Sequence, residues 1–334
     1  LGSLSILFNL AEPPERYANI TENAALKNNS AAVTEEMQLG QFIPLHYHFN
    51  MLRDQSRMAP FQQAIEKTVP EGGAVLELGG GTGVLSWFAA QKARQVWCVE
   101  RNPDLVQAAR SFLPQNVHGD RVTVVQADAM TYLPPEPVDV VICEMLHVGL
   151  IREKQVDVIR SFRDRYQRRF GSQLPKFIPD TSMLAVQPIH QNFCFSGYSA
   201  RVPIFEPPGP HMKDQWLADP VFYSTVDYTA DCPDEFAFDS EIVIQKDGYW
   251  NAVSFLTNNF LAFDLRHGQA DQWLMNQLIL PLAQPVNVSV GDRVNLQFAY
   301  RAGCSINALQ ESLKSGSRSH AMSSQTQQPH RRAA

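Results

Sequence analysis

Val75-Leu76-Glu77-Leu78-Gly79-Gly80-Gly81-Thr82-Gly83 decides the fold. It reads as an apolar strand, an acid, and a glycine turn that opens a helix. Gly79, Gly81 and Gly83 make a G-x-G-x-G pattern. Glycine tolerates φ > 0 and lets a ligand lie directly against the backbone. The dinucleotide fingerprint G-x-G-x-x-G carries its third glycine one place later, where this chain has Val84. The tighter spacing, preceded by Glu77, fits a nucleoside ligand without a pyrophosphate. S-adenosylmethionine (SAM) is the first choice, and NAD is disfavoured. Taken alone, such a turn is also what a plain strand-to-helix corner looks like, so the flanking sequence has to decide.

Working outward, short apolar runs alternate with helical patterns. Strands are expected at 75–78, 95–99, 122–126 and 138–143, and helices at 84–92, 104–112 and 153–170. Continuous apolar strands separated by helices predict a parallel sheet covered on both faces, a Rossmann-like α/β unit. Ligands of such sheets bind beyond the carboxyl ends of the strands. Glu77, Glu100, Asp128 and Glu144 all fall at or near those ends. Upstream, Met51, Leu52, Met58, Phe61, Ile65 and Val69 recur at helical spacing and predict one helix over 51–69.

The SAM reading gives these residues jobs. Glu100 is placed to accept hydrogen bonds from the two ribose hydroxyls, and Asp128 to face the adenine. The planar fork of Arg57 suits the methionine carboxylate. The plainer readings are a surface charge for Arg57 and a turn former for Asp128.

Beyond Phe177-Ile178-Pro179-Asp180 the texture changes to short strand-like segments at 182–186, 241–245, 251–256 and 294–299, separated by turns. This predicts a mainly antiparallel β-barrel or sandwich. The expected organisation is an N-terminal arm or helices over 1–45, a SAM-binding domain over 46–178, a β-barrel domain over 179–312, and a tail over 313–334. The tail is rich in Ser, Gln and Arg, buries little, and is expected to be disordered.

At 334 residues the chain has room for two domains of roughly 150 residues each. Its formal net charge of -6 argues against a nucleic-acid partner. Five scattered cysteines without a C-x-x-C argue against a disulfide framework or a metal site. They point to a reducing, intracellular setting, taken as cytoplasmic. No apolar run approaches a membrane span. The basic run Arg160, Arg163, Arg165, Arg168 and Arg169 reads as a solvated helix face, with an acidic-substrate site as the minor reading.

Glu144 and Glu153 form a second constellation. Met145 to Arg152 lies between them, and two carboxylates flanking such a loop can converge on one pocket. A guanidinium presents five donors in a planar fork and stays protonated. Two carboxylates would neutralise it and hold its charge on one part of the group. A terminal nitrogen would then regain lone-pair character and attack the sulfonium methyl in line, mostly through orientation and electrostatics. The plainer reading puts Glu153 in the first turn of the next helix, where acids are favoured.

These motifs resemble, in order, the protein arginine methyltransferase family over roughly residues 45–310. Met51-Leu52-Arg53-Asp54-Gln55-Ser56-Arg57 matches the family's M-L-K-D-x-x-R helix, and His48 its preceding His. Glu77–Gly83 matches the first SAM motif and Val99-Glu100 the ribose acid. Asp139–Glu153 matches the double-glutamate loop, and Phe177–Asp180 the join to the barrel. Asp271-Gln272-Trp273 falls at the T-H-W loop. The resemblance implies a guanidino acceptor, on a protein or a small molecule, with Gln272 and Trp273 on the acceptor side. It also implies a homodimer through an arm at residues 192–222; an ordinary loop folded on its own barrel is the alternative.

There are departures. Phe49 and Asn50 replace the family's paired glutamates, Leu146-His147 replaces Met-Gly, and Gln272 replaces a His. They concern the acceptor more than the donor. His147 reads as a structural loop residue or as an acceptor contact. Methyl transfer to another N, O or C nucleophile is the second reading, and a non-catalytic SAM-binding subunit the third.

Overall fold

The computed structural model describes residues 43–230, 232–264 and 267–318. Nearly all of the expected N-terminal arm, and the tail beyond 318, lie outside the described residues. Two helices come first, α1 (Leu45–Arg53) and α2 (Gln55–Thr68), where periodicity suggested one. Asp54 separates them. Its backbone is extended, and its side chain caps α2 by accepting from the Arg57 N–H at 3.2 Å.

The parallel half follows as β1 (Ala74–Leu78), α3 (Val84–Ala90), β2 (Gln95–Glu100), α4 (Pro103–Phe112), β3 (Val122–Gln126), β4 (Val140–Cys143), α5 (Gln155–Phe170) and β5 (Lys176–Ile178). The strands run in the order β3-β2-β1-β4-β5 and every pairing is parallel. The order reverses between β1 and β4, so their carboxyl ends open on the crevice where such sheets take ligands. β1 and β4 are buried along their whole length, as their continuous apolar runs require. Glu77 is the one charge inside β1. Helix α5 begins at Gln155, so Glu153 stands in the loop ahead of it and not in its first turn. The basic run on α5 does more than face solvent. Arg165 donates to the carbonyls of Met130 (2.6 Å) and Tyr132 (3.0 Å), and Arg160 pairs with Asp234 at 2.7 Å.

The antiparallel half comprises β6 (Thr181–Ile189), β7 (Cys194–Phe195), β8 (Tyr198–Ser199), β9 (Ile204–Glu206), β10 (Val221–Asp227), β11 (Glu235–Val243), β12 (Gly248–Asp264), β13 (Gln269–Leu274), β14 (Gln277–Val288), β15 (Arg293–Arg301), α6 (Ile306–Ser312) and β16 (Lys314–Arg318). One sheet has the order β10-β6-β12-β14-β9, with β13 pairing β12. A second has the order β11-β15-β16. The two pack through aromatic rings: Phe298 of β15 meets Phe255 of β12 at 5.2 Å and Tyr223 of β10 at 5.1 Å. The expected barrel therefore takes the form of two sheets around an aromatic core. β11 spends its ladder on β15, and among the described residues no ladder joins the sheets into a closed cylinder.

One expectation changes here, and the packing of a second segment is settled without testing its dimer contact. Residues 314–318, expected within the disordered tail, form β16 against β15. A ladder needs only backbone donors and acceptors, so a polar composition does not forbid it. Segment 192–222 folds on its own sheet: Phe193 and Met212 are buried with Ile189, Ala252 and Ile279, and β9 pairs with β14. Phe195 and Tyr198, flanking the Ser196-Gly197 turn, stay exposed. Among the described residues no helix is long and apolar enough to cross a membrane.

Candidate active site

A cavity of about 1020 Å³ opens over the carboxyl ends of the parallel strands and reaches the antiparallel half. Met51, Arg57, Glu77, Gly79, Gly81, Glu100, Asp128, Glu144, His147, Glu153 and Trp273 all line it. Two expected residues do not. Gly83 ends the turn behind the wall as the cap residue just ahead of α3, with φ +83. Gln272 is exposed and accepts a hydrogen bond from Asn258 at 2.9 Å. Successive side chains on a strand face opposite ways, so with Trp273 turned inward Gln272 must turn out.

At the donor end the turn is held from several sides. Gly81 has φ +54, a conformation that favours glycine, and a Cβ there would fall 2.9 Å from Nε2 of His48 and push that ring aside. His48, on α1, thus covers the turn; burial lowers its pKa. Glu77 accepts from the Ser86 N–H at 2.9 Å and from the Ser86 hydroxyl, bracing the start of α3 from below. Burial pushes its carboxyl up to about 8, so it is largely protonated at neutral pH. Glu100 accepts from the Gly81 N–H (2.9 Å) and the Asn102 N–H (2.7 Å). A carboxylate offers about four acceptor sites, so Glu100 can serve the turn and still take hydroxyls. Asp128 accepts from the Met130 N–H at 2.8 Å, as a turn former does, and also lines the cavity.

At the other end Arg57 forms an ion pair with Glu144 and lies over the ring of Trp273, 5.3 Å from its centroid. Sequence reasoning gave Arg57 to the ligand and did not foresee this partner. Burial raises the Glu144 pKa and the Arg57 charge opposes the rise. Glu153 is pushed up to about 8, first by burial and then by the charge of Glu144. His147 is driven down to about 4 by burial, so it is neutral. Its ring meets Phe205 edge-on at 5.4 Å.

The loop between the two glutamates is strained and tied down. Leu150 and Arg152, both non-glycine, have φ +54 and +63, in a region costly for branched and long side chains. The antiparallel half holds them there. The Gly149 N–H donates to Thr257 Oγ1 (2.7 Å), and the Tyr300 hydroxyl donates to the Gly149 carbonyl (2.8 Å). Arg152 N–H donates to the Cys304 carbonyl, and Gly303 N–H to the Leu150 carbonyl, both at 2.8 Å. Buried Gln155 accepts from the Met145 N–H (2.9 Å) and donates to the Cys143 carbonyl (2.7 Å), clamping the backbone on each side of Glu144. Gln155, Thr257 and Tyr300 carry no local motif, and only their burial in three dimensions reveals them.

A family model described as a methyltransferase domain matches residues 75–167. An uncharacterised protein of Methanocaldococcus jannaschii is 28% identical over 278 residues, 83% of this chain and 100% of that relative. An arginine N(omega)-methyltransferase of Streptomyces achromogenes is 33% identical over 134 residues, 39% of this chain and 37% of that relative. That match covers well under half of the characterised relative. Among solved structures, the Trypanosoma brucei PRMT1 enzyme-prozyme complex with AdoHcy superposes with a TM-score of 0.62 at 18% identity, covering 82% of this chain and 98% of that one. PRMT6 gives 0.63 at 16% identity, covering 82% and 100%. Fold, glycine turn and family match define a class I SAM-dependent methyltransferase. Within that class the chain resembles arginine methyltransferases, in sequence over 134 residues of the Streptomyces relative and in fold through the same two-part architecture.

Proposed function

We propose that this protein transfers the methyl group of SAM to a guanidino nitrogen of arginine, in a protein or in a small arginine-like molecule, held by Glu144 and Glu153. One observation carries the reading: Glu144 already grips a guanidinium, that of Arg57, in the same cavity as Glu153. The printed name of the Streptomyces relative, an arginine N(omega)-methyltransferase, supports the same acceptor chemistry.

SAM, when bound, supplies an electrophilic methyl on a sulfonium. The chain's residues do the rest. The turn at Gly79–Gly81 receives the donor against bare backbone, and Glu100 accepts from its hydroxyls. Arg57, turning to a donor carboxylate, releases Glu144. Glu144 and Glu153, once both ionised, hold the acceptor from two sides and keep its charge away from the attacking nitrogen. Trp273 supplies a flat wall, and no strong base is required. We read residues 46–178 as the donor half and 179–312 as the acceptor half. We read the setting as intracellular from the five scattered cysteines without a C-x-x-C. The exposed Phe195 and Tyr198 support a homodimer contact at the tip of 192–222, which sedimentation velocity tests.

Labelled SAM offered to free arginine, arginine peptides and a panel of amines and alcohols, with mass spectrometry of the products, tests the reading. Transfer that survives both Glu144→Gln and Glu153→Gln sinks it. The neutral wall of Leu146 and His147 favours one second reading, transfer to another N, O or C nucleophile. In that case loss of Glu153 leaves transfer intact.

A further inference from the structure

Segment 192–222 does something that its place in the sequence does not announce. β9 is locked to β14 by register Ile204↔Ile279, Phe205↔Leu278 and Glu206↔Gln277. Ile204 packs beneath it on the apolar cluster of Phe193 and Met212. Alternation along the strand turns Phe205 the other way, and there it lines the cavity together with Pro207 and Pro208. Its ring stands edge-on to His147, three residues after Glu144. Two consecutive prolines have fixed φ, so this wall is stiff. The segment therefore borders the chain's own acceptor end.

We infer that Phe205, held on β9 against His147, is a specificity-determining residue whose wall favours a free, amino-acid-sized guanidino acceptor over an arginine within a protein chain. The inference rests on the guanidino reading above. An arginine in a peptide brings backbone on both sides of its Cα, and that backbone must pass the β9 wall. A free amino acid carries only two small termini at the same place. The neutral state of His147 keeps a second cation away from an acceptor that is itself cationic. Moving the wall would mean breaking the β9–β14 ladder, whereas trimming Phe205 removes only its outer face, which is 45% exposed.

The test compares kcat/KM for free arginine and for a short arginine peptide, in wild type, Phe205→Ala and Phe205→Leu, with SAM Kd measured by calorimetry. Wild type is expected to favour free arginine by at least about tenfold, the scale on which a pocket wall discriminates. Phe205→Ala is expected to raise the KM for free arginine, improve the peptide, and leave SAM Kd unchanged; Phe205→Leu should fall between. Equal use of both acceptors by wild type overturns the inference and leaves the guanidino reading standing. So does an unchanged preference in Phe205→Ala. Binding of SAM with no methylation of either acceptor overturns the guanidino reading and this inference with it.

Discussion

Glu153 is the residue on which the proposed chemistry is most exposed to measurement. It must be charged to hold a guanidinium, yet burial and Glu144 push its pKa to about 8. Acceptor kcat/KM should therefore rise with pH through about 8, and a pH–rate profile checks this. Glu153→Gln should flatten the profile and lower kcat/KM by about 10²–10³, the loss typical of removing one preorganised electrostatic contact. Glu77 shows the same burial in a structural role. Its folded pKa of about 8 lies above the ordinary carboxylate value, so its contribution to stability is fully present below that ordinary value. The contribution is lost as pH rises through about 8. Glu77→Gln should flatten the fall in Tm between pH 5 and 8, measured by differential scanning calorimetry. Trp273 and Gln272 make a sharper pair. Trp273→Ala should raise acceptor KM about tenfold, while Gln272→Ala should leave steady-state kinetics unchanged, because its side chain faces away from the cavity.

At the scale of elements, the double-glutamate loop is held by a helix start and not by its own sequence. Gln155 opens α5 and satisfies one backbone group on each side of Glu144. Gln155→Leu would leave both groups buried without partners, at about 1–3 kcal/mol each. It should lower Tm and kcat while leaving SAM Kd nearly unchanged, since the glycine turn on β1 is untouched; calorimetry and initial rates separate the two. Helix boundaries show how local signals mislead by a few residues. Apolar periodicity ran through Asp54 without a break, but Asp54 caps α2 and ends the reach of α1. α5 starts at Gln155 and not at the expected 153, because charged residues continue a helical pattern whether or not the backbone does.

For the molecule as a whole, the two halves meet at the strained loop. Thr257 and Tyr300 reach it across sequence separations of 108 and 151 residues. Tyr300→Phe should reduce kcat about tenfold, the equivalent of one lost buried hydrogen bond of about 1.4 kcal/mol. It should leave the donor site intact, as read by SAM Kd.

The parallel half was legible because its information is local. Four apolar runs, a glycine turn and acids at strand ends are set by neighbours a few residues away, and they sufficed to name the donor and many of the residues that line the cavity. Glu144 and Glu153 were legible as a pair because one short loop joins them. What tertiary structure alone decided was which way side chains face and what they meet. It turned Gln272 out, set Arg57 on Glu144, placed Phe205 on the cavity wall, and pinned the loop with Gln155, Thr257 and Tyr300. These depend on strand register and on contacts between distant segments. A one-residue change of register reverses a side chain's face without altering the pattern of the sequence that carries it.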